Sequence, residues 1–523
     1  MKRRSFIKKS AALAALPVVL NGWGFKAYSK SPLLKLLSKS VKYPDRVLVM
    51  IQLNGGNDGL NTILPIDQYS NLSKARNNIL IAESKALKIT GTTATAFHPA
   101  MAGLRTMYDE GLVSVVQSVG YPDPNFSHFR STDIWLSASD SNEYLPTGWA
   151  GRFLAEEFPN FPDGYPNTDM PDPLAVQIGS SVSPMFQGPQ VSMGMAISSA
   201  TNFYQLVKGV VDTAPATPAG KELTYVRHVA QQTMAYADSI KKAAGNASNK
   251  STLYPTGNPL ADQLKIVAQL IAGGMKTKMY IVTIGGFDTH AAQVDATGGT
   301  ETGAHATLLQ RVSDAVFAFQ DDLKLLKIDE RVAGMTFSEF GRRIASNASL
   351  GTDHGAAAPM MVFGKNVNPG IIGSNPVIAS QVGNADNVPM QYDFRQVYAS
   401  VLSDWFGTDQ NEVLEVLGND FDTLPIFKQS ASINGLPAGV VTFDNYPNPC
   451  NGLTTFRIDT LKGGHVQIKL YDTIGRAEDV VVDQYLPAGK HEIPYKTDHL
   501  TEGNYYYVLH SGHGRMVKTL VKR

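Results

Sequence analysis

The chain has 523 residues, 43% of them hydrophobic and 18% charged, a globular composition with length for two or three domains. Its 46 basic and 46 acidic residues cancel, and no basic stripe interleaved with aromatics occurs, which excludes a nucleic-acid partner. The single cysteine, Cys450, excludes an intrachain disulfide, so cohesion must come from burial or from bound metal.

At the amino terminus, Lys2-Arg3-Arg4-Ser5-Phe6-Ile7-Lys8-Lys9 precedes an apolar stretch from Ala11 to Leu20. A basic start with a short apolar segment is an export signal, too short to span a membrane. The Arg-Arg-x-Phe-Ile-Lys order resembles the twin-arginine signal, an address read by a translocase that exports folded proteins. Residues 1–29 are therefore expected to be removed. That removes six basic residues and no acidic one and leaves a mildly acidic mature protein without a transmembrane domain.

From 44 to 429, strand-like runs alternate with helical ones, the pattern of a layered α/β fold with a mainly parallel sheet flanked by helices. Strands are predicted at Val47–Ile51, Leu112–Val119, Leu174–Ile178, Met279–Ile284, Val332–Phe337 and Met360–Phe363. After His305, the spacing of Leu308, Leu309, Val312, Val316, Phe319, Leu323 and Leu326 predicts an amphipathic helix packed on that sheet. The rhythm breaks over about 120–278, with a Pro-rich stretch from Phe158 to Pro173 and helices expected near Glu222–Lys242 and Pro259–Ala272. This segment reads as an insertion covering one sheet edge, with a role in substrate access or in structure.

Small and turn-forming residues make 430–441 a linker. Beyond it the period drops to two, with Val466, Ile468 and Leu470 on one face, so 442–523 reads as a small all-β sandwich. Tyr446-Pro447-Asn448-Pro449, Tyr471-Asp472, Gly475-Arg476, Leu486-Pro487-Ala488-Gly489, Gly503-Asn504-Tyr505 and the basic ending Lys518–Arg523 resemble the type A sorting domain of type IX secretion in Bacteroidota. Cys450 stands where that family more often has an aromatic or small residue. The resemblance implies the type IX secretion machinery as a partner. It also implies passage from the periplasm to the cell surface or beyond.

The chemistry lies in polar loops: Gly55-Gly56-Asn57-Asp58-Gly59, Gly285-Gly286-Phe287-Asp288-Thr289-His290 and Ser338-Glu339-Phe340-Gly341-Arg342 follow apolar runs, and Gly351-Thr352-Asp353-His354-Gly355 precedes the run Met360–Phe363. In a parallel sheet such loops gather at one edge, where ligands bind. Asp58, Asp288, His290, Glu339, Asp353 and His354 are the candidate metal ligands. Carboxylates with imidazoles suit zinc or manganese, whereas an oxygen-only shell would favour calcium or magnesium, and one or two ions are allowed. Two ions would polarise an ester oxygen and activate a nucleophile. Ser127, at the start of a predicted helix, is the candidate nucleophile, and Arg130 could grip an anionic ester substrate. Taken alone, Gly55–Gly59 is a turn, Ser127 a helix cap and His98-Pro99 a helix start. His128 and His305 read as ordinary polar side chains.

These loops together with Phe126-Ser127-His128-Phe129 resemble the exported "domain of unknown function fifteen-oh-one" family, placed with the alkaline phosphatase and sulfatase superfamily. The resemblance implies an alkaline-phosphatase-like fold and Asp58 as first-strand ligand. It also implies Ser127 near the nucleophile position, Asp288 and His290 as a ligand pair, Glu339 as the next carboxylate and His354 as the last metal histidine. Two departures stand out: Glu339-Phe340 replaces the superfamily's frequent Asp-His, and only Thr289 separates Asp288 from His290. The expectation is a metal-dependent hydrolase of phosphate or sulfate esters. The competing one is a surface protein that holds a polysaccharide or a partner on a degenerate version of the fold.

Overall fold

The structure, a computed structural model, describes residues 43–198, 236–428, 440–460, 463–472, 477–511 and 514–523. The expected signal over 1–29, the linker residues 430–439, the Gly475-Arg476 turn and the first part of the helix expected near 222–242 lie outside these. Two compact units are distinguished, Tyr43–Lys428 and one that contains the C-terminal strands.

The first unit is built on strand β1, Val47–Leu53, whose seven residues are all buried. Val47, Val49, Ile51 and Leu53 enter the core on one face of the sheet and Leu48 and Met50 the core on the other. An apolar run unbroken by polar alternation is what a parallel strand covered on both faces requires. The strands that build the rest of the central sheet and the hairpin beside it are β2 Val113–Gly120, β3 Ala175–Ile178, β4 Gly194–Ile197, β5 Met279–Ile284, β6 Val332–Phe337, a hairpin of β7 Arg342–Ser346 with β8 Thr352–His354, then β9 Ala358–Phe363, β10 Gly370–Ile372 and β11 Tyr392–Asp393. The central sheet runs β10-β2-β9-β6-β1-β5-β3-β4, with β11 paired to β2. Its strands are parallel except β9, which is antiparallel to both β2 and β6. That reversal matters for the site, because Ala358 pairs with Val119 and the segment entering β9 therefore reaches the same edge as the loops leaving β1, β5 and β6.

Of the helices used below, α1 is Tyr69–Ala75, α2 Ala102–Asp109, α3 His128–Ser137, α4 Pro259–Ala272 and α5 Ala304–Leu326. Helices α2, α4 and α5 cover one face, and α5 buries Leu308, Leu309, Val312, Val316, Phe319 and Leu323 as its spacing predicts. Each such side chain is worth roughly 1.5–3 kcal/mol of transfer free energy. Helix α3 and Trp149 and Trp405 cover the other face. The segment read as an insertion over 120–278 does more than cover an edge: it supplies β3 and β4, which extend the sheet beyond β5.

The C-terminal strands form an antiparallel sheet of Val440–Asn451, Leu453–Thr460 and Gly489–Lys496 and another of Gly464–Tyr471, Ala477–Leu486, Gly503–Ser511 and Gly514–Lys522, bridged where Cys450 meets Lys522. Alternate residues such as Phe456, Ile458, Ile468, Leu470, Tyr507 and Leu509 make one core. No described helix is long and apolar enough to cross a membrane.

Candidate metal centre

Glycine lets the loops approach one another at the sheet edge. A Cβ on Gly55 (φ +124) would lie 2.2 Å from the Asp288 nitrogen, and one on Gly351 would lie 2.3 Å from the His290 carbonyl oxygen. The loops are also stitched by backbone bonds, Ala292 and Gln293 N–H donating to Ser349 and Leu350, and Thr352 N–H to Thr289.

On this scaffold three histidines converge on one carboxylate. Asp288 Oδ1 lies 3.2 Å from Nε2 of His290 and of His354, and Oδ2 lies 3.5 Å from Nε2 of His128. His290 and His354 bring their Nε2 atoms to 2.8 Å from each other. The far nitrogen of each ring is tied to an acceptor. His128 Nδ1 is 2.8 Å from Glu339 Oε1, His290 Nδ1 3.2 Å from Asp353 Oδ1, and His354 Nδ1 2.7 Å from the Phe126 carbonyl oxygen. Carboxylates and carbonyls only accept, so each Nδ1 carries the hydrogen and each Nε2 presents a lone pair. That is the tautomer of a metal-ligating histidine with its outer partner in place. Donors around a tetrahedral ion at the usual zinc–nitrogen distance stand about 3.3 Å apart, and the separations here bracket that value. Ligand atoms of His128, Asp288 and His354 all lie within 4.8 Å of one another, with His290 Nε2 beside Asp288 and His354, a donor set whose chemistry fits a divalent ion of the zinc type.

Arg342 fixes the carboxylate. Its side chain is fully buried; Nη2 donates to Asp288 Oδ1 at 2.7 Å and also to Gly55 O, while Nε donates to Gly56 O and Nη1 to Thr352 O. Partial burial works against the Asp288 charge, but the Arg342 guanidinium that donates to it, with the neighbouring imidazoles, outweighs that and holds the carboxyl down at about 2. Burial pushes His354 below the ordinary histidine range despite its bond to the Phe126 carbonyl and the Asp288 carboxylate nearby, which keeps the ring neutral and able to ligate.

The predicted residues thus divide. Asp288, His290 and His354 meet at the centre. Glu339 and Asp353, predicted as ligands, meet the far nitrogens of the rings: Glu339 Oε1 accepts from Gly55 N–H as well as from His128, and Asp353 Oδ1 lies 3.2 Å from His290 Nδ1. Asp58, also predicted as a ligand, is turned to other work. Fully buried, it has both oxygens within 3.0 Å of Arg76 Nη1 and accepts from Gln293 Nε2 at 2.6 Å. Burial would raise its pKa, but Arg76, His305 and Gln293 together lower it. Arg130 does not face an anion site: its guanidinium pairs with Asp133, donates to the carbonyls of Asp140, Ser141 and Glu143 and lies over the Tyr144 ring. Ser127 precedes α3 as its N-cap residue and is exposed, and its side chain makes no capping bond.

His128, inside the Phe126–Phe129 motif, reads in sequence as an ordinary polar side chain, yet its Nε2 stands 3.5 Å from Asp288 Oδ2. Phe340, buried, packs against His128 and His354 at centroid distances of 4.9 and 4.5 Å, tilted to both rings.

Residues 210–417 match the family described as "Protein of unknown function (DUF1501)", a span that holds Asp288, His290, Glu339, Asp353 and His354, and residues 444–523 match the "Secretion system C-terminal sorting domain". No curated protein is similar to the chain in sequence. Solved structures similar to it include an alkaline phosphatase superfamily protein from Vibrio parahaemolyticus, 10% identical with a TM-score of 0.33, covering 80% of this chain and 76% of that one. They also include alkaline phosphatase from the Antarctic bacterium TAB5, 10% identical with a TM-score of 0.28, covering 72% and 99%. Latent PorU from Porphyromonas gingivalis is 22% identical over 15% of this chain, with a TM-score of 0.13. The chain spans only 9% of PorU and 13% of PorZ from the same organism.

Proposed function

We propose that this is an exported, metal-dependent hydrolase of phosphate or sulfate esters that works with a single divalent ion. The observation that carries the reading is the convergence of His128, His290 and His354 through lone-pair Nε2 atoms on Asp288, with every Nδ1 already anchored. A bound ion would supply Lewis-acid polarisation of the ester oxygen. One ion rather than two is favoured because Asp58 is occupied by Arg76, and Glu339 by Gly55 and His128.

The chain's own residues have separable tasks. Glu339, Asp353 and the Phe126 carbonyl hold the Nδ1 protons and so aim the ligand nitrogens. Arg342 keeps Asp288 ionised. Ser127, exposed and next to His128 at the start of α3, offers the attacking hydroxyl where the helix N–H groups favour negative charge. The sorting domain directs the chain to the cell surface or outside, and the expected twin-arginine signal would let it leave the cytoplasm already folded around its metal.

Elemental analysis of the purified chain, followed by a screen of phosphate and sulfate esters with Ser127→Ala and Asp288→Ala beside the wild type, tests this. Full activity in both variants would sink the mechanism. A bound ion with no turnover of any ester would favour the second reading, a surface binding protein, which the engagement of Arg130 with the loop at Ser139–Tyr144 supports by leaving it no free guanidinium for an anionic substrate.

A further inference from the structure

Beneath the centre a single side chain is bonded to both ligand loops. Gln293 is wholly buried. Its Oε1 accepts from Thr289 Oγ1 at 3.1 Å and from Thr352 Oγ1 at 2.9 Å, while its Nε2 donates to Asp58 Oδ2 at 2.6 Å. Thr289 lies between Asp288 and His290, and Thr352 directly precedes Asp353 and His354. Both threonines are buried, so neither hydroxyl can turn to bulk water without moving its loop.

We infer that Gln293 is a positioning residue for the metal centre, tying the two ligand loops to the buried Asp58–Arg76 pair and so setting the affinity for the ion. The inference rests on the metal-dependent reading above. Only an amide of this length meets the three demands together. A carboxylate in its place would face Asp58 across a hydrogen-bond distance, and an aliphatic chain would take one of the two donors from Asp58 Oδ2 and leave two hydroxyls without their acceptor. Asn347 completes the tie on the exposed side, its Nδ2 donating to the His290 carbonyl and to Asp353 Oδ1. Asp58 thereby acquires a role after all: it anchors the ligand loops from below and does not itself ligate.

The test is zinc affinity of the full chain, measured by competition with a chromophoric chelator, together with the melting temperature of the metal-free protein. Gln293→Met and the pair Thr289→Val with Thr352→Val are compared with the pair Thr289→Ser with Thr352→Ser. Loss of an outer partner typically weakens binding roughly 10- to 100-fold, and that drop is expected for the methionine and valine variants, with the serine pair close to wild type. The valine pair keeps the Gln293–Asp58 bond and decides the matter if Gln293→Met does not fold. Wild-type affinity in the valine pair would overturn the inference while leaving the metal reading intact. A wild type that binds no zinc would overturn both.

Discussion

His290 and His354 face each other through Nε2 atoms 2.8 Å apart, although Asp353 and the Phe126 carbonyl already claim their Nδ1 hydrogens. Two lone pairs at that distance repel, so the arrangement is stable only with a proton or a metal cation between them. Zinc should therefore bind at one equivalent per chain, and His128→Ala should lose it as fully as His354→Ala does. Binding to the folded state alone adds about 2.7 kcal/mol of stability at a hundredfold excess over Kd. Chelation should accordingly lower the melting temperature of the wild type and leave that of either variant unmoved.

The Asp58–Arg76 pair predicts a different phenotype. Both side chains are fully buried, and Arg76 further donates from Nε to the Ile344 carbonyl and from Nη2 to that of Arg343. Removing one member leaves an uncompensated charge in the interior, at a cost of about 3–5 kcal/mol. Arg76→Met should lower stability by that order in denaturant titration. Unchanged stability in that variant would contradict the structural role of this pair.

The sheet was legible because strand and helix leave different periods in the sequence. Val47–Leu53 has no polar alternation to hide, and the α5 stripe repeats every three or four residues. Which of the clustered polar residues would touch an ion was less legible. Asp58, Glu339 and Asp353 have the right chemistry, but no local signal says that Arg76 reaches Asp58 from the end of α1 or that His128 takes up Glu339. Those pairings cross many residues and exist only once the loops have met. His128 had one visible sign, its place in a motif already noted for Ser127, and a histidine beside a proposed nucleophile merited weight as a ligand. The reversal of β9, which brings Asp353 and His354 to the active edge, has no signature in its composition.

Arg130 separates structure from chemistry. Its guanidinium is tied to the carbonyls of Asp140, Ser141 and Glu143, a geometry that the single ammonium of lysine cannot reproduce. Arg130→Lys should loosen the loop at Ser139–Tyr144, with a stability loss of about 1–3 kcal/mol, and leave zinc affinity at the wild-type value. Protease cleavage in that loop and chelator competition measure the two effects independently.

The buried pair His98 and His305 predicts how stability follows pH. Burial is the main cause that depresses both, to about 3 for His98 and about 4 for His305, the latter in spite of the Asp58 charge. Their bonding agrees with neutral rings: His98 Nδ1 accepts from the Ala100 N–H, and His305 Nε2 is 2.9 Å from Asn57 Oδ1. In the unfolded chain each takes up a proton near pH 6.5, whereas the native state takes none until the depressed values are reached. The unfolded state binds more protons throughout that window, so their contribution to stability is intact above pH 6.5 and is lost as pH falls towards 4. At pH 5 the loss is on the order of 2 kcal/mol for each ring. Denaturant titrations at pH 7.5 and pH 5 should differ by about the sum of the two, and His305→Gln should flatten the difference by about half; an unchanged slope in that variant would assign the acid sensitivity to other groups.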